Sequence, residues 1–566
     1  MKRMLSILLA CLILVSMLAA CGNPETSGTT ATPSASASAS ASAAPSGSSD
    51  PTPDADGMIN GRFVETKKIT VEVYDRGNDG GSPPENNVYT DYIKKGMLEK
   101  YNVEVEFIPV GRWTEVDDIN NLLAGGIAPD VCVTYSYPTI QTYANMGGVL
   151  DLAPLIEKYK DKLPNMFALL GDENVYYDLD PDNGTLWALE ARLVHNMRIN
   201  TFVREDWLNK LNLKEPTTLQ EFEDMLKAFK NNASTLLGAD ADKMIPFSIS
   251  FDVGWRADNL VVSFMPDPMD EKTMYINGFD DRHLLFPNYK EGIRVLNKWY
   301  NEGLIWKDFP LYGKGDTTED NLMKAGYVGS FIHNWDYPYR NGADGIHGQL
   351  QTLVGPEAAF IAVDPFKNAN GKYAKFVGST VDRKVFFPST NDEPLASLLY
   401  VDFISSPETI KYLQIGEEGI THEVMPDGAI KIVSRPGGDP YIMNSLNNID
   451  YTITANGLYL GDQDLTIKSM ALGYAGVDPK YIEKALQYAK AESRQTPTIH
   501  VGEIKAEEGM GAALPDKRDA FLIQSIVASP ANFDSVYDSG MADYLSSGGQ
   551  AIIDERKAAY EKYFGK

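Results

Sequence analysis

Apolar and polar positions alternate along Ile69-Thr-Val-Glu-Val-Tyr74 and again along Val103-Glu-Val-Glu-Phe-Ile-Pro109, the period of strands with unlike faces. Between them, Tyr92 to Tyr101 carries helical spacing. A helix over about 115–123, the turn Gly125-Gly126 and the apolar run Pro129-Asp-Val-Cys-Val133 follow. This strand-helix alternation predicts a mainly parallel sheet with right-handed crossovers, whose ligands sit at the carboxyl ends of the strands. Further on, Asp182-Asn-Gly184 reads as a turn opening an apolar strand from Leu186 to Leu189. A strand near Ile199 to Val203 then runs directly into a helix at 207–211, as expected where a chain crosses from one unit into another.

Thr218 and Glu221 form a capping box, and Phe222, Met225, Leu226 and Phe229 follow at helical spacing, which predicts a helix over about 219–230. A helix over 289–302 keeps Ile293, Leu296, Trp299 and Tyr300 on one face, so Trp299 reads as core. Asn321 to Ile332 reads as a helix turning through Gly326 into a strand, which delivers His333-Asn-Trp-Asp-Tyr-Pro-Tyr-Arg340 at its end. Residues 376–388 read as a return crossing. Helices follow at 394–404 and 407–414, and the tail from Pro479 is mostly helical.

The N-terminus changes the picture. Lys2 and Arg3 precede an apolar run from Leu5 to Leu18, too short to span a membrane and flanked like a secretory signal. The run ends Leu18-Ala-Ala-Cys21. This resembles a bacterial lipoprotein processing site that would leave a lipid-modified Cys21; the alternative is an uncleaved signal anchor. Residues 22–60, with the repeat Ser34-Ala-Ser-Ala-Ser-Ala-Ser-Ala-Ser42, cannot offset the entropy of ordering and read as a disordered spacer. About forty such residues reach roughly 35 Å on average. Loss of Lys2 and Arg3 takes the formal charge from -27 to -29, which disfavours nucleic acid. With Cys11 in the signal and Cys21 lipidated, Cys132 has no partner for an intramolecular disulfide, and its apolar setting reads as a buried, inert thiol.

The run Gly184-Thr-Leu-Trp-Ala-Leu-Glu through Arg204-Glu-Asp-Trp207-Leu to Pro216-Thr-Thr218 resembles the first hinge crossing of extracellular solute-binding proteins, family 1, the large oligosaccharide-type binding lipoproteins of bacterial ABC importers. Lys324-Ala-Gly-Tyr-Val-Gly329 and Gly416-Glu-Glu-Gly419 resemble further family patterns. Ala124-Gly-Gly-Ile-Ala-Pro-Asp130 resembles the family's Ala-Ser-Gly-Asp-x-Pro-Asp but lacks its hydroxyl and one carboxylate. The resemblance extends loosely over 67–566. It implies an α/β, two-lobe periplasmic-binding-protein-like fold (type II), each lobe a mainly parallel sheet flanked by helices, joined by a hinge. The expected organisation is a signal peptide at 1–20, a lipid-anchored linker at 21–60, an N-lobe at 61–193 and a C-lobe at 194–375. A return to the N-lobe at 376–455 and a helical part of unassigned lobe at 456–566 complete it.

The resemblance further implies an exported, lipid-anchored monomer that captures an oligosaccharide between its lobes and delivers it to the transmembrane subunits of an ABC permease. Sugars need flat apolar faces beside planar donors and acceptors. Aromatic residues beside Asp or Arg at strand ends supply both, which selects Trp335 with Asp336 and Arg340, Trp255, Trp113, and Tyr135 with Tyr137. For Trp113 the alternative is packing at a helix start, and for the two tyrosines a half-buried lid on a sheet edge. Trp187, Trp207 and Trp306 read as structural.

No catalytic residue or cofactor is assigned: neither a zinc-type His-Glu-x-x-His, a Gly-x-Ser-x-Gly elbow nor a phosphate-binding glycine loop occurs. Asp178, Asp180 and Asp182 have the one-three-five spacing of a calcium loop but lack its glycine and its twelfth-position glutamate. The stretch 237–247, where relatives carry a separate calcium loop, has two carboxylates and a lysine. A surface-anchored glycan-active enzyme and a peptide-binding or sensor lipoprotein on the same scaffold remain the alternative readings.

Overall fold

The computed structural model describes residues 52–76, 83–194, 199–433 and 450–565, apart from 251, 314, 374, 378–380, 458–459, 461, 475, 491–492, 498 and 500. The stretch read as an export signal, Cys21 and nearly all of the stretch read as a spacer lie outside these residues. The end of the stretch read as spacer is folded: Met58–Ile59 pairs with Arg62–Phe63, and Met58 and Phe63 are buried in the first lobe's core. These two apolar side chains, in an otherwise polar stretch, hold it on the core.

The strands Lys67–Asp75 and Val103–Gly111 pair in parallel along their whole length, from Lys67 opposite Val103 to Asp75 opposite Gly111. Their apolar positions, Ile69, Val71, Val73, Val103, Val105 and Phe107, are buried in one core. A parallel bridge from Val71 to Val131 brings in the strand Cys132–Thr134. The chain's return, Val381–Phe386, runs antiparallel between Cys132–Thr134 and Leu189–Leu193, and Ala455–Asn456 pairs in parallel on the far side. The helix Pro394–Ile404 is buried almost throughout against this core, so the return belongs to the first lobe.

In the second lobe, Ile199–Arg204 lies between Ser330–Asn334 and Phe360–Val363, antiparallel to both. The parallel pairing expected there is reduced to the short pair Lys375–Val377 with Ser493–Gln495 and to single bridges such as Ser248 to Phe331 and Phe247 to Ile305. The physical reason is that the central strand enters from the other lobe, whereas strand-helix-strand repeats within one lobe force parallel pairing. Leu219–Asn231 forms as predicted: Thr218 Oγ1 accepts the Glu221 N-H at 3.1 Å, and Phe222, Met225, Leu226 and Phe229 are buried. Glu221 accepts the N-H of Thr217, one residue before the cap. Trp299 is buried in the same core and donates to Glu223 at 2.9 Å.

The helices Pro479–Lys490, Ala513–Val527, Phe533–Tyr544 and Gln550–Phe564 place Ile482, Phe521, Ile526, Tyr537 and Ile552 in the second lobe's core. Asn297 donates to the carbonyls of Ser525, Ile526 and Ala528, which locks the tail onto the helix Tyr289–Asn301. The tail is therefore part of the second lobe.

Candidate functional site

Because three strands of the first lobe run the same way, their carboxyl ends open on one edge and deliver Arg76, Arg112 with Trp113, and Tyr135 together. The turn after the second strand is tight: a Cβ on Gly111 would stand 2.5 Å from Thr114 Oγ1 and 2.9 Å from Asp118 Oδ2. Glu115, in the first turn of the helix Glu115–Gly125, organises the edge. Its carboxylate accepts the Tyr135 N-H at 3.0 Å, the Thr134 hydroxyl at 3.1 Å and the Arg112 guanidinium at 2.9 Å. Arg112 thus lies 4.3 Å over the Tyr135 ring, with Tyr74 at 5.1 Å and Trp113 at 5.5 Å. Burial alone would weaken the Arg112 charge, but Glu115 and the tyrosines more than restore it. Arg76 is closed on Asp450 by two bonds of 2.6 and 2.8 Å. Trp113 is 42% exposed, an indole held at the cleft without being packed away.

The second lobe supplies the facing wall. Arg282 forks onto Asp252 at 3.0 and 2.8 Å and lies 5.1 Å over the ring of Trp255. Arg518 reaches both oxygens of Asp280, at 3.0 and 3.1 Å, and the Tyr544 hydroxyl donates to the same carboxylate. Burial would raise the Asp252 carboxyl, but the Arg282 and Arg518 guanidiniums hold it at about 2. Between the walls is a cavity of about 480 Å³, lined from one lobe by Arg112, Trp113 and Tyr135 and from the other by Asp252, Arg282 and Arg518. Its three arginines are each ion-paired, Arg112 with Glu115, Arg282 with Asp252 and Arg518 with Asp280, in a lining where carboxylates outnumber them. The adjacent aromatic faces are suited to stacking a ring and exchanging hydrogen bonds with hydroxyls.

The predicted residues divide. Trp113 and Tyr135 line this cavity, whereas Tyr137 lines an adjoining chamber with Trp187, a residue whose place in its strand pattern reads as structural. Trp255 is half-buried behind Arg282. Trp335, Asp336 and Arg340 line neither cavity. Trp335 is only 7% exposed and meets Tyr474 edge-on at 6.0 Å, while Asp336 is closed on Arg340 at 2.7 Å and accepts the Tyr474 hydroxyl at 2.6 Å. The cluster that looked most like a binding loop is filled from within by Tyr474. Arg282, Arg518 and Glu115 were missed. A glutamate three residues after an arginine at a helix start was a readable signal for Glu115, but the other two are placed by distant partners.

In the calcium-like turn, Asp180 accepts the Asp182 N-H at 2.7 Å and the Asn183 amide at 3.0 Å, and Asp182 pairs with Lys562 at 2.8 Å. That last pair crosses between lobes, as do the bonds from Asn145 to Glu503 and Glu508, both 2.6 Å. Cys132 is buried with its thiol near the Pro129 carbonyl, and burial pushes it up beyond ordinary reactivity.

The family model for bacterial extracellular solute-binding proteins matches residues 93–417. The fructooligosaccharide ABC transporter substrate-binding protein FusA of Streptococcus pneumoniae is 27% identical over 241 residues, 38% of this chain and 41% of that protein. The polygalacturonan/rhamnogalacturonan-binding protein YtcQ of Bacillus subtilis is 25% identical over 246 residues, 43% of this chain and 47% of that protein. The chain thus spans less than half the length of these curated relatives. Among solved structures, the alginate-binding protein AlgQ2 aligns with a TM-score of 0.62 at 18% identity over 88% of this chain and 99% of that one. FusA in complex with kestose aligns at 0.58 and 16%, over 88% of this chain and 100% of that one. These likenesses carry the two-lobe fold, and with the family model matching more than half of its length, the chain belongs to the bacterial extracellular solute-binding proteins.

Proposed function

We propose that the protein captures an oligosaccharide between its lobes and hands it to the transmembrane subunits of an ABC importer, without chemistry on the sugar. The observation that carries this reading is the cavity between the lobes, where the exposed indole of Trp113 and the Arg112–Tyr135 stack face the Asp252–Arg282 pair. A ligand touching both walls favours the closed form by the difference in its affinity for the two forms. Shifting such an equilibrium from 1:99 to 99:1 takes about 5.5 kcal/mol, within reach of stacked rings and several hydroxyl hydrogen bonds. The FusA and YtcQ names, each a carbohydrate binder, support the ligand class.

A thermal-shift screen of oligosaccharides, followed by calorimetry, tests the reading. At least one sugar should raise the melting temperature and be recovered unaltered. Trp113→Ala should then weaken its binding by about 1–3 kcal/mol, the usual loss for an aromatic anchor, with little change in stability because the ring is exposed. A screen in which peptides stabilise the protein and no sugar does, or one in which the sugar is cleaved, would overturn it.

Attachment through lipid on Cys21 belongs to the same proposal. One acyl chain binds a bilayer marginally and two or three hold firmly. Cys21→Ala is expected to move the protein from the membrane to the soluble fraction, and unchanged fractionation would remove the anchor from the scheme.

A further inference from the structure

Beside the cavity lined by Trp113 lies a second chamber of about 210 Å³, which the sugar-capture reading does not use. Its walls come from the helix Tyr137–Asn145 and the segment 177–187 of the first lobe, and from 501–507, Tyr275 and Arg556 of the second. The two spaces share Glu507, which lines both. Glu507 is held by Arg556 at 2.5 Å, and Arg556 also donates to the Tyr275 carbonyl at 2.8 Å. The dividing wall is therefore a fixed post with cavity on either side.

Two features make the chamber more than a gap. Trp187 is half-buried, packed against the cluster containing Ile140 and Phe386 while lining the chamber, the setting of a stacking platform. Gln141 also lines the chamber, is only 8% exposed, and its amide oxygen has no hydrogen-bond partner. A buried acceptor left unmatched costs free energy that a bound donor recovers. The remaining charged lining is Asp178, Asp180, Glu503 and Glu507 against Arg556, whose guanidinium is closed on Glu507. Behind this wall Glu190 is buried, with Lys384 at 3.3 Å. The chamber is rich in acceptors and electronegative. It favours hydroxyl donors, and a carboxylate brought there meets like charge.

We propose that this chamber is a second glycosyl subsite, taking one neutral, polyhydroxylated sugar unit on Trp187 with a hydroxyl donated to Gln141, and that its lining selects against uronate units. The inference rests on the sugar-capture reading and narrows it. The cleft reads an oligosaccharide long enough to pass Glu507, and neutral glycans are preferred over polyuronates of equal length.

The test is calorimetry with the full chain on neutral fructo-, xylo- and manno-oligosaccharides from di- to pentasaccharide, alongside oligogalacturonides of the same lengths. Affinity for one neutral series should step up at the length that reaches the second chamber, and oligogalacturonides should bind at least about tenfold more weakly. Gln141→Met, close in volume, should reduce the ratio of long-chain to disaccharide affinity by about fivefold, the worth of one hydrogen bond. Glu503→Gln should narrow the gap between neutral and uronate chains, and being partly exposed it serves also if Gln141→Met does not fold. An unchanged ratio in folded Gln141→Met, or equal binding of oligogalacturonides, overturns the subsite while leaving sugar capture standing. No binding by any sugar in the panel overturns both.

Discussion

Trp335→Ala is expected to lower stability by about 3–5 kcal/mol, the usual result of emptying a buried aromatic site. Its ring is buried in the second lobe's core and meets Tyr474 edge-on, and its carbonyl accepts the buried Asn200 amide at 3.3 Å. Truncation would leave a hole beneath Tyr474, whose hydroxyl is committed to Asp336 and is poorly placed to follow. Urea denaturation at equilibrium reads this directly as a lower midpoint at similar slope. A variant as stable as the parent that has lost its response to sugar would return Trp335 to the ligand and remove it from the core.

Arg518→Ala should be comparably damaging, about 3–5 kcal/mol, because it strands a buried carboxylate. Asp280 is nearly inaccessible, and both its oxygens face Arg518. The paired replacement Arg518→Met with Asp280→Leu should cost less than Arg518→Ala alone, since the penalty lies in the unmatched charge. Additive losses would sink this assignment. The same pocket gives a pH signature. Burial pushes the Asp519 carboxyl up to about 6 against the lowering effect of Arg518, with Asp252 adding to the rise. A carboxyl raised above its unfolded value of about 3.9 favours the folded state when protonated. Its contribution is therefore complete below about pH 4 and lost as pH rises through about 6. Asp519→Asn should flatten the stability profile across that window.

The helix at 219–230 and the parallel strands at 67–75 and 103–111 were legible because the marks of each are local: the apolar face, and for the helix its cap, lie within one element, even though Phe222 packs on Phe247, Trp299 and Phe366. That Trp113 and Tyr135 stand at strand ends was legible from the same strand pattern, although their ring neighbours, Arg76 for Trp113 and Tyr74 for Tyr135, come from the end of another strand. Trp335 satisfied the identical rule, an aromatic after an apolar strand. It proved to be core because Tyr474, from far along the chain, closes over it. Arg282 and Arg518 each have an adjacent aspartate, Asp281 and Asp519, but the partners that fix them at the cleft, Asp252 and Asp280, lie in other segments and only folding brings them together. The C-terminal helices resisted assignment likewise: what ties them down is Asn297, on a helix more than two hundred residues earlier.

The contacts that stitch one lobe to the other at the back of the second chamber, Lys562 to Asp182 and Asn145 to Glu503 and Glu508, all lie in water-accessible positions. Such pairs contribute at most about 1 kcal/mol each and are weakened by electrolyte. Parting this seam brings no grease into solvent and strands no charge, so raising ionic strength should ease the jaws apart while each half keeps its own cohesion.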